Sequence, residues 1–276
     1  MEKLNGIHQH NVLSDPIQFP KQYSSKQDQE IVALISALYA FGNVKMIFNT
    51  IRNILQFLGE SPCVKIQNLT SKDLNEFSFV THRWIKPNDT RFFLRLISEI
   101  IQKEGTLESS FQRLYQPLDE TLEASMIAWM KHLQDTMISI QELPLTRGQK
   151  FLLSAPGKSS TSKRLLMFFR WMVRSEDPDL GLWKSISPSQ LLMPLDAHLF
   201  RFSHYLGFIK KKQTGWKAVT LTTQHFRKIC PEDPIKYDFA LARLGILDLC
   251  LHRVSSLCES CEIQIHCKLY RQKKRK

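Results

Sequence analysis

The sequence predicts an all-α protein. Three observations carry that expectation. Apolar residues recur at helical spacing along most of the chain, period-two segments bounded by turn residues are essentially absent, and glycine or proline closes several of the periodic runs. With 276 residues, 43% of them hydrophobic, and with 17 Phe and 5 Trp, the chain has ample material for a core.

The elements follow in order. Ser25 and Asp28 fit a capping box, Ile31, Val32, Leu34, Ile35 and Leu38 supply an apolar face, and Gly42 is a stop. Val44, Ile47, Phe48, Ile51, Ile54, Leu55 and Leu58 make a second helix closed by Gly59 and Pro62. Asp89 is placed as the cap of a third, which carries Phe92, Phe93, Leu96, Ile97, Ile100 and Ile101 up to Gly105. Further helices fit 107–115, 119–134, 163–174, 196–206, 216–229 and 233–247. The Ser-, Pro- and Gly-rich stretch 136–162 is expected to connect two helical blocks.

Lys+Arg 38 against Asp+Glu 26 leaves a net charge of +12, which favours an anionic partner such as nucleic acid or anionic lipid. No apolar run approaches the length that spans a bilayer, so a membrane protein is not expected. Charge and backbone chemistry meet at Ala155-Pro156-Gly157-Lys158-Ser159-Ser160-Thr161-Ser162, a Pro-Gly turn and small hydroxyl residues feeding a helix near Lys163. Small residues at a helix start leave backbone N–H groups free to meet a phosphate. Lys158, Lys163, Arg164, Arg170 and Arg174 follow with no acid among them. An ordinary junction with a solvated basic face would look the same.

Pro194-Leu195-Asp196-Ala197-His198 opens the next helix. Asp196 sits at its N-cap, and capping is its plain structural role, as core packing is for His198. A lysine and an aspartate sharing one site would make further sense: an amine can attack a sugar C1′ to form a Schiff base, and a carboxylate can take its proton or stabilise the cationic sugar. Cys250, Cys258, Cys261 and Cys267 end the chain as C-x7-C-x2-C-x5-C. No secretory h-region opens the sequence, so a reducing cytosol is expected and disulfides are not. A [4Fe–4S] cluster is favoured over zinc because only one CxxC knuckle is present; unligated thiols are the third reading.

Together these pieces resemble the helix-hairpin-helix DNA glycosylases. A Pro-Gly hairpin leads to a basic helix, P-L-D-A-H-x-x-R-x-x-x-x-L-G follows, and a four-cysteine loop ends the chain. Endonuclease III-like members share the hairpin, the aspartate and a C-x6-C-x2-C-x5-C terminus. The chain departs from them at Ser159, where the second hairpin glycine stands, at Thr161, where their lysine would align, and at Leu38, where a glutamine is usual. The wide gap from Lys163 to Asp196 is more similar to the archaeal 8-oxoguanine glycosylase branch. Within the superfamily the chain looks most like the DUF2400 family, through Lys163-Arg164, Arg170-Trp171-Met172-Val173-Arg174, Asp179-Leu180-Gly181-Leu182-Trp183, Pro194 to His198, and Asp233 to Phe239.

The resemblance implies a two-lobed glycosylase-like fold: an N-terminal segment 1–43 packed with the C-terminal lobe, a helical domain 44–207 holding the hairpin at 152–163, helices at 208–249, a metal loop at 250–267 and a basic tail at 268–276. It implies a monomer that binds double-stranded DNA in the cytoplasm, at the nucleoid. The expected activity is N-glycosidic cleavage of a flipped damaged base, with or without lyase activity; a non-catalytic nucleic-acid binder of the same fold is the alternative. Lys163 would be the nucleophile and Asp196 its acid/base partner. Gly157, Lys158, Ser159, Arg164, Arg170 and Arg174 would contact DNA. Trp171, Trp183 and His198, with Phe169, would line the base pocket.

Overall fold

The computed structural model describes residues 15–247, 249–261 and 263–273. The first fourteen residues of the expected N-terminal segment and the last three of the basic tail lie outside them. Among the described residues there is no β-strand, only short 3-10 turns and thirteen α-helices. They are α1 (Lys26–Leu38), α2 (Val44–Leu58), α3 (Pro62–Gln67), α4 (Ser71–Glu76), α5 (Pro87–Glu104), α6 (Leu107–Gln112) and α7 (Glu123–Gln141). After these come α8 (Arg147–Leu152), α9 (Lys163–Val173), α10 (Ala197–Leu206), α11 (Gly215–Arg227), α12 (Asp238–Ile246) and α13 (Lys268–Lys273). None is long and apolar enough to cross a membrane.

α1 runs through the core: every residue from Glu30 to Leu38 is buried, as an all-round apolar helix requires. It packs chiefly against α9, and also against α2, α3 and the turns at Pro16–Gln18 and Pro20–Gln22. Ser25 Oγ accepts from Asp28 N as predicted, but the expected capping box is only half formed. The Asp28 carboxylate turns to the backbone N–H of Cys63 at 2.7 Å, which ties α1 to α3. α5 packs on α3, α6, α7 and α8, while α10 packs on α12 and α13. Between α6, α7 and α9 the rings of Phe111, Trp129, Phe168, Phe169 and Trp183 form one aromatic cluster.

The observed boundaries differ where a local signal outweighed composition. α7 runs on to Gln141, because Met126, Met130, Leu133 and Met137 continue one buried row through the supposed connector; it ends at Glu142 in the left-handed region, before Pro144. α8 also lies inside that connector, nucleated by a Thr146–Gln149 capping box. α5 starts at Pro87, so Asp89 is not its cap: it sits in the first turn and accepts from Lys86 N at 2.8 Å. The single helix expected over 233–247 begins only at Asp238, after a turn around Pro234.

Candidate active site

α8 and α9 are joined by a tight turn in which Gly157 and Ser160 pair as an isolated bridge, with Ser160 N donating to Gly157 O at 3.1 Å. Pro156 is buried while Gly157, Lys158 and Ser159 stand exposed. The turn is held from below by the start of α11. A side chain at Gly215 would meet the Lys158 carbonyl at 2.3 Å, and Gly215 itself has φ +59°. At the other end Ser162, N-cap of α9, adopts φ 45°, a conformation a serine reaches only when its surroundings over-determine it. Its N–H donates to Ser160 Oγ (3.0 Å) and its hydroxyl to Ala155 O (3.2 Å).

This junction aims Lys163, the first residue of α9, at the first turn of α10. Lys163 Nζ lies 3.5 Å from Asp196 Oδ2, although 33 residues separate them. The other oxygen, Oδ1, accepts from Leu199 N at 2.8 Å and caps α10. Asp196 therefore performs its capping role and faces the lysine at once. The lysine side chain is 39% exposed and the carboxylate 17%, so the amine is reachable from solvent and its partner is sheltered.

Both residues line a cavity of about 60 Å³, together with Trp171, Asp238, Phe239, Arg243 and Asp15. Behind it runs a buried chain of charges. Arg170, also on the lining, bonds Asp179 through Nε at 3.1 Å and Asp238 through Nη1. Arg174 reaches Asp179 at 2.5 Å, Asp233 at 2.9 Å and Glu176 at 3.2 Å. Burial opposes a charge on Arg170, yet the Asp179 and Asp238 carboxylates hold its pKa above the usual arginine value. Burial pushes the Asp238 carboxyl up; Arg170 pulls it down and the nearby Asp196 adds to the rise. One buried Arg170 nitrogen, Nη2, has no partner among the described residues.

This corrects three sequence expectations. Arg170 and Arg174 are 5% and 4% exposed and neutralised by carboxylates, so Arg170 lines the cavity, Arg174 lies behind it, and neither stands at the surface to meet a phosphate. Arg164 turns inward as well. Its guanidinium lies 3.8 Å over the Phe151 ring and donates to the carbonyls of Leu38 and Phe151, the open ends of α1 and α8. Burial pushes its pKa down to about 10.

The aromatic candidates divide. Trp171 lines the cavity at 2% exposure, whereas Trp183 and Phe169 belong to the aromatic core, Trp183 donating to the buried Glu30 at 2.8 Å. His198 is not on the lining; its Nδ1 lies 3.3 Å from Nε2 of His252. Sequence reasoning missed Asp238 and Arg243 as cavity residues. Asp238 stood inside the Asp233-to-Phe239 stretch that carries the family resemblance, but the start of its helix was misplaced and neither residue was read as facing a site.

Cys250, Cys258, Cys261 and Cys267 are half-buried on a loop of 3-10 turns before α13. Burial raises the Cys261 thiol, and the other three thiols are close enough to add to that rise. Four cysteines are the residue type a four-thiolate group requires. Among the described residues, however, no three His, Cys, Asp or Glu are arranged to hold one ion.

No curated protein and no solved structure matches the chain. A family profile described as a protein of unknown function does match, over residues 15–247, spanning the turn, the Lys163–Asp196 pair and the buried charge chain but stopping short of the cysteines. The chain therefore belongs to the DUF2400 family.

Proposed function

We propose that the protein binds duplex DNA with a helix-hairpin-helix glycosylase-like fold and cleaves the N-glycosidic bond of an extruded base. The observation that carries this reading is the Lys163–Asp196 pair: an amine and a sheltered carboxylate 3.5 Å apart, beside an exposed Pro-Gly turn. In the reaction Asp196 takes a proton from the ammonium, and the freed amine attacks the sugar C1′. The bond to the base breaks, its electron pair leaves with the base, and Asp196 passes the proton it took to the departing base. Ring opening then yields a Schiff base, which water hydrolyses to return the amine. Damage favours this route because a weakly paired base costs only a few kcal/mol to extrude. Cys250, Cys258, Cys261 and Cys267 would hold a [4Fe–4S] cluster, with zinc as the alternative. When bound, that group would supply metal–thiolate bonds that fix the 250–267 loop.

The cavity favours a second reading. At about 60 Å³ it is far below the roughly 300 Å³ at which small-ligand sites begin. A base could enter only if the wall moved, and a non-catalytic DNA or RNA binder needs no such opening. Borohydride separates the two. On DNA carrying an abasic or damaged site it should reduce the Schiff base and trap the protein covalently. Lys163→Gln should abolish trapping and spare binding. Asp196→Asn should slow base release with little loss of stability, because asparagine caps as well as aspartate does. Binding without any trapping across a panel of lesions would establish the non-catalytic reading.

A further inference from the structure

Resting on the DNA-binding reading, we infer that the tip of a second turn, Arg83-Trp84, together with Arg147, forms a phosphate clamp that extends the nucleic-acid surface away from the Pro-Gly turn. His82 and Ile85 pair through two backbone bonds, of 2.9 and 3.0 Å, leaving Arg83 and Trp84 as a two-residue tip. Arg83 holds φ 56°, where glycine or asparagine would be usual, so the tip is imposed by what surrounds it. His82 does the imposing: fully buried, it bonds Thr50 Oγ1 through Nδ1 and the Phe41 carbonyl through Nε2, both at 2.9 Å.

The tip carries charge in a form suited to phosphate. The Arg83 guanidinium lies 4.6 Å from the centre of the Trp84 ring and that of Arg147, the first residue of α8, lies 5.5 Å from it. Both arginines are exposed, and neither makes an ion pair or side-chain hydrogen bond among the described residues. Stacking on a ring occupies the face of a guanidinium and leaves its edge donors free, pre-oriented for a bidentate phosphate contact. The contrast with Arg164, Arg170 and Arg174 is direct, since those three spend their donors inside the protein. Packed side chains tie the tip to the start of α9: Trp84 packs edge-on against Phe151 at 4.9 Å, and Phe151 carries the guanidinium of Arg164, next to Lys163 in the chain.

The test is anisotropy of a short fluorescent duplex of mixed sequence, titrated at several salt concentrations with the full chain. Arg83→Ala with Arg147→Ala should weaken binding about tenfold and shallow the log–log salt slope by about 2, one for each lost phosphate contact. Arg83→Lys with Arg147→Lys should restore the slope but not all of the affinity, because lysine lacks the fork. Thermal melting of each variant should match the parent, as the side chains are exposed. If the alanine pair binds like the parent while Lys158→Ala binds more weakly, the clamp is wrong and the DNA reading stands. Lost affinity with an unchanged slope would also overturn the clamp. If the parent shows no salt-dependent binding and Lys158→Ala changes nothing, the DNA reading itself fails and the clamp falls with it.

Discussion

Glu30 shows what a single buried side chain does to this protein. It is 1% exposed, Oε1 accepts from Trp183 and Oε2 has no partner among the described residues. Burial pushes its carboxyl from 4.5 up to about 7 against the opposing pull of Trp183. The folded state thus holds the proton more tightly than the unfolded state. Its stabilising effect is full below about pH 4.5 and is lost as pH rises through 7. Glu30→Gln keeps an acceptor for Trp183 and removes the titration. Its stability relative to the parent should therefore improve from pH 5 to pH 9 by on the order of 3 kcal/mol. Urea denaturation at the two pH values checks this, and parallel behaviour of the two proteins would exclude the assignment. The sequence places Glu30 on an apolar helix but does not say what surrounds it; Trp183 arrives from 153 residues away.

At the scale of elements, the Pro-Gly turn depends on its support. Gly215 combines φ +59° with a side-chain direction aimed at the Lys158 carbonyl, so Gly215→Ala must push the turn off α11. We expect a loss of about 2–4 kcal/mol, from overpacking and backbone strain together, and weaker DNA binding. Gly59→Ala is the control: φ +70° with ψ −156° is backbone that glycine alone adopts readily, but nothing lies within 4 Å, so only the backbone penalty of about 1–3 kcal/mol remains. Equal melting shifts in the two variants would mean that the turn yields freely. The turn and both helices that matter most here, α9 and α10, were legible from Pro156-Gly157, the basic run and the Asp196 cap. α8 was not, because Ser, Pro and Gly over 136–162 masked the Thr146–Gln149 box, and composition is a weaker signal than a capping pair.

At the scale of the molecule, the net charge of +12 is not spread over every basic residue. Arg170 and Arg174 are consumed in buried ion pairs, and the exposed excess falls to residues such as Lys158, Arg83 and Arg147. The four cysteines make the other whole-molecule prediction. Purified anaerobically, the protein should be brown with broad visible absorbance, and Cys258→Ser should bleach it and lower the melting temperature. A colourless protein with one zinc per chain would replace the cluster by zinc. One with neither metal would leave the thiols unligated.

The sequence by itself determined the all-helical class and the elements that begin with Lys163 and end with Gly207; the pairing of Lys163 with Asp196 was implied by the family resemblance, and their contact came from the structure. The class and the elements are local matters: helical period, caps and turn residues act over a few positions and can be read one segment at a time. Only the tertiary structure decided which charges face solvent. Lys163, Arg164, Arg170 and Arg174 look alike on a helix that carries no acid of its own, yet one faces Asp196, one caps two other helices and two are locked by Asp179, Asp233 and Asp238. Whether a cation meets water, a carboxylate or a helix-end carbonyl depends on partners up to 126 residues away along the chain, a separation that no local periodicity encodes.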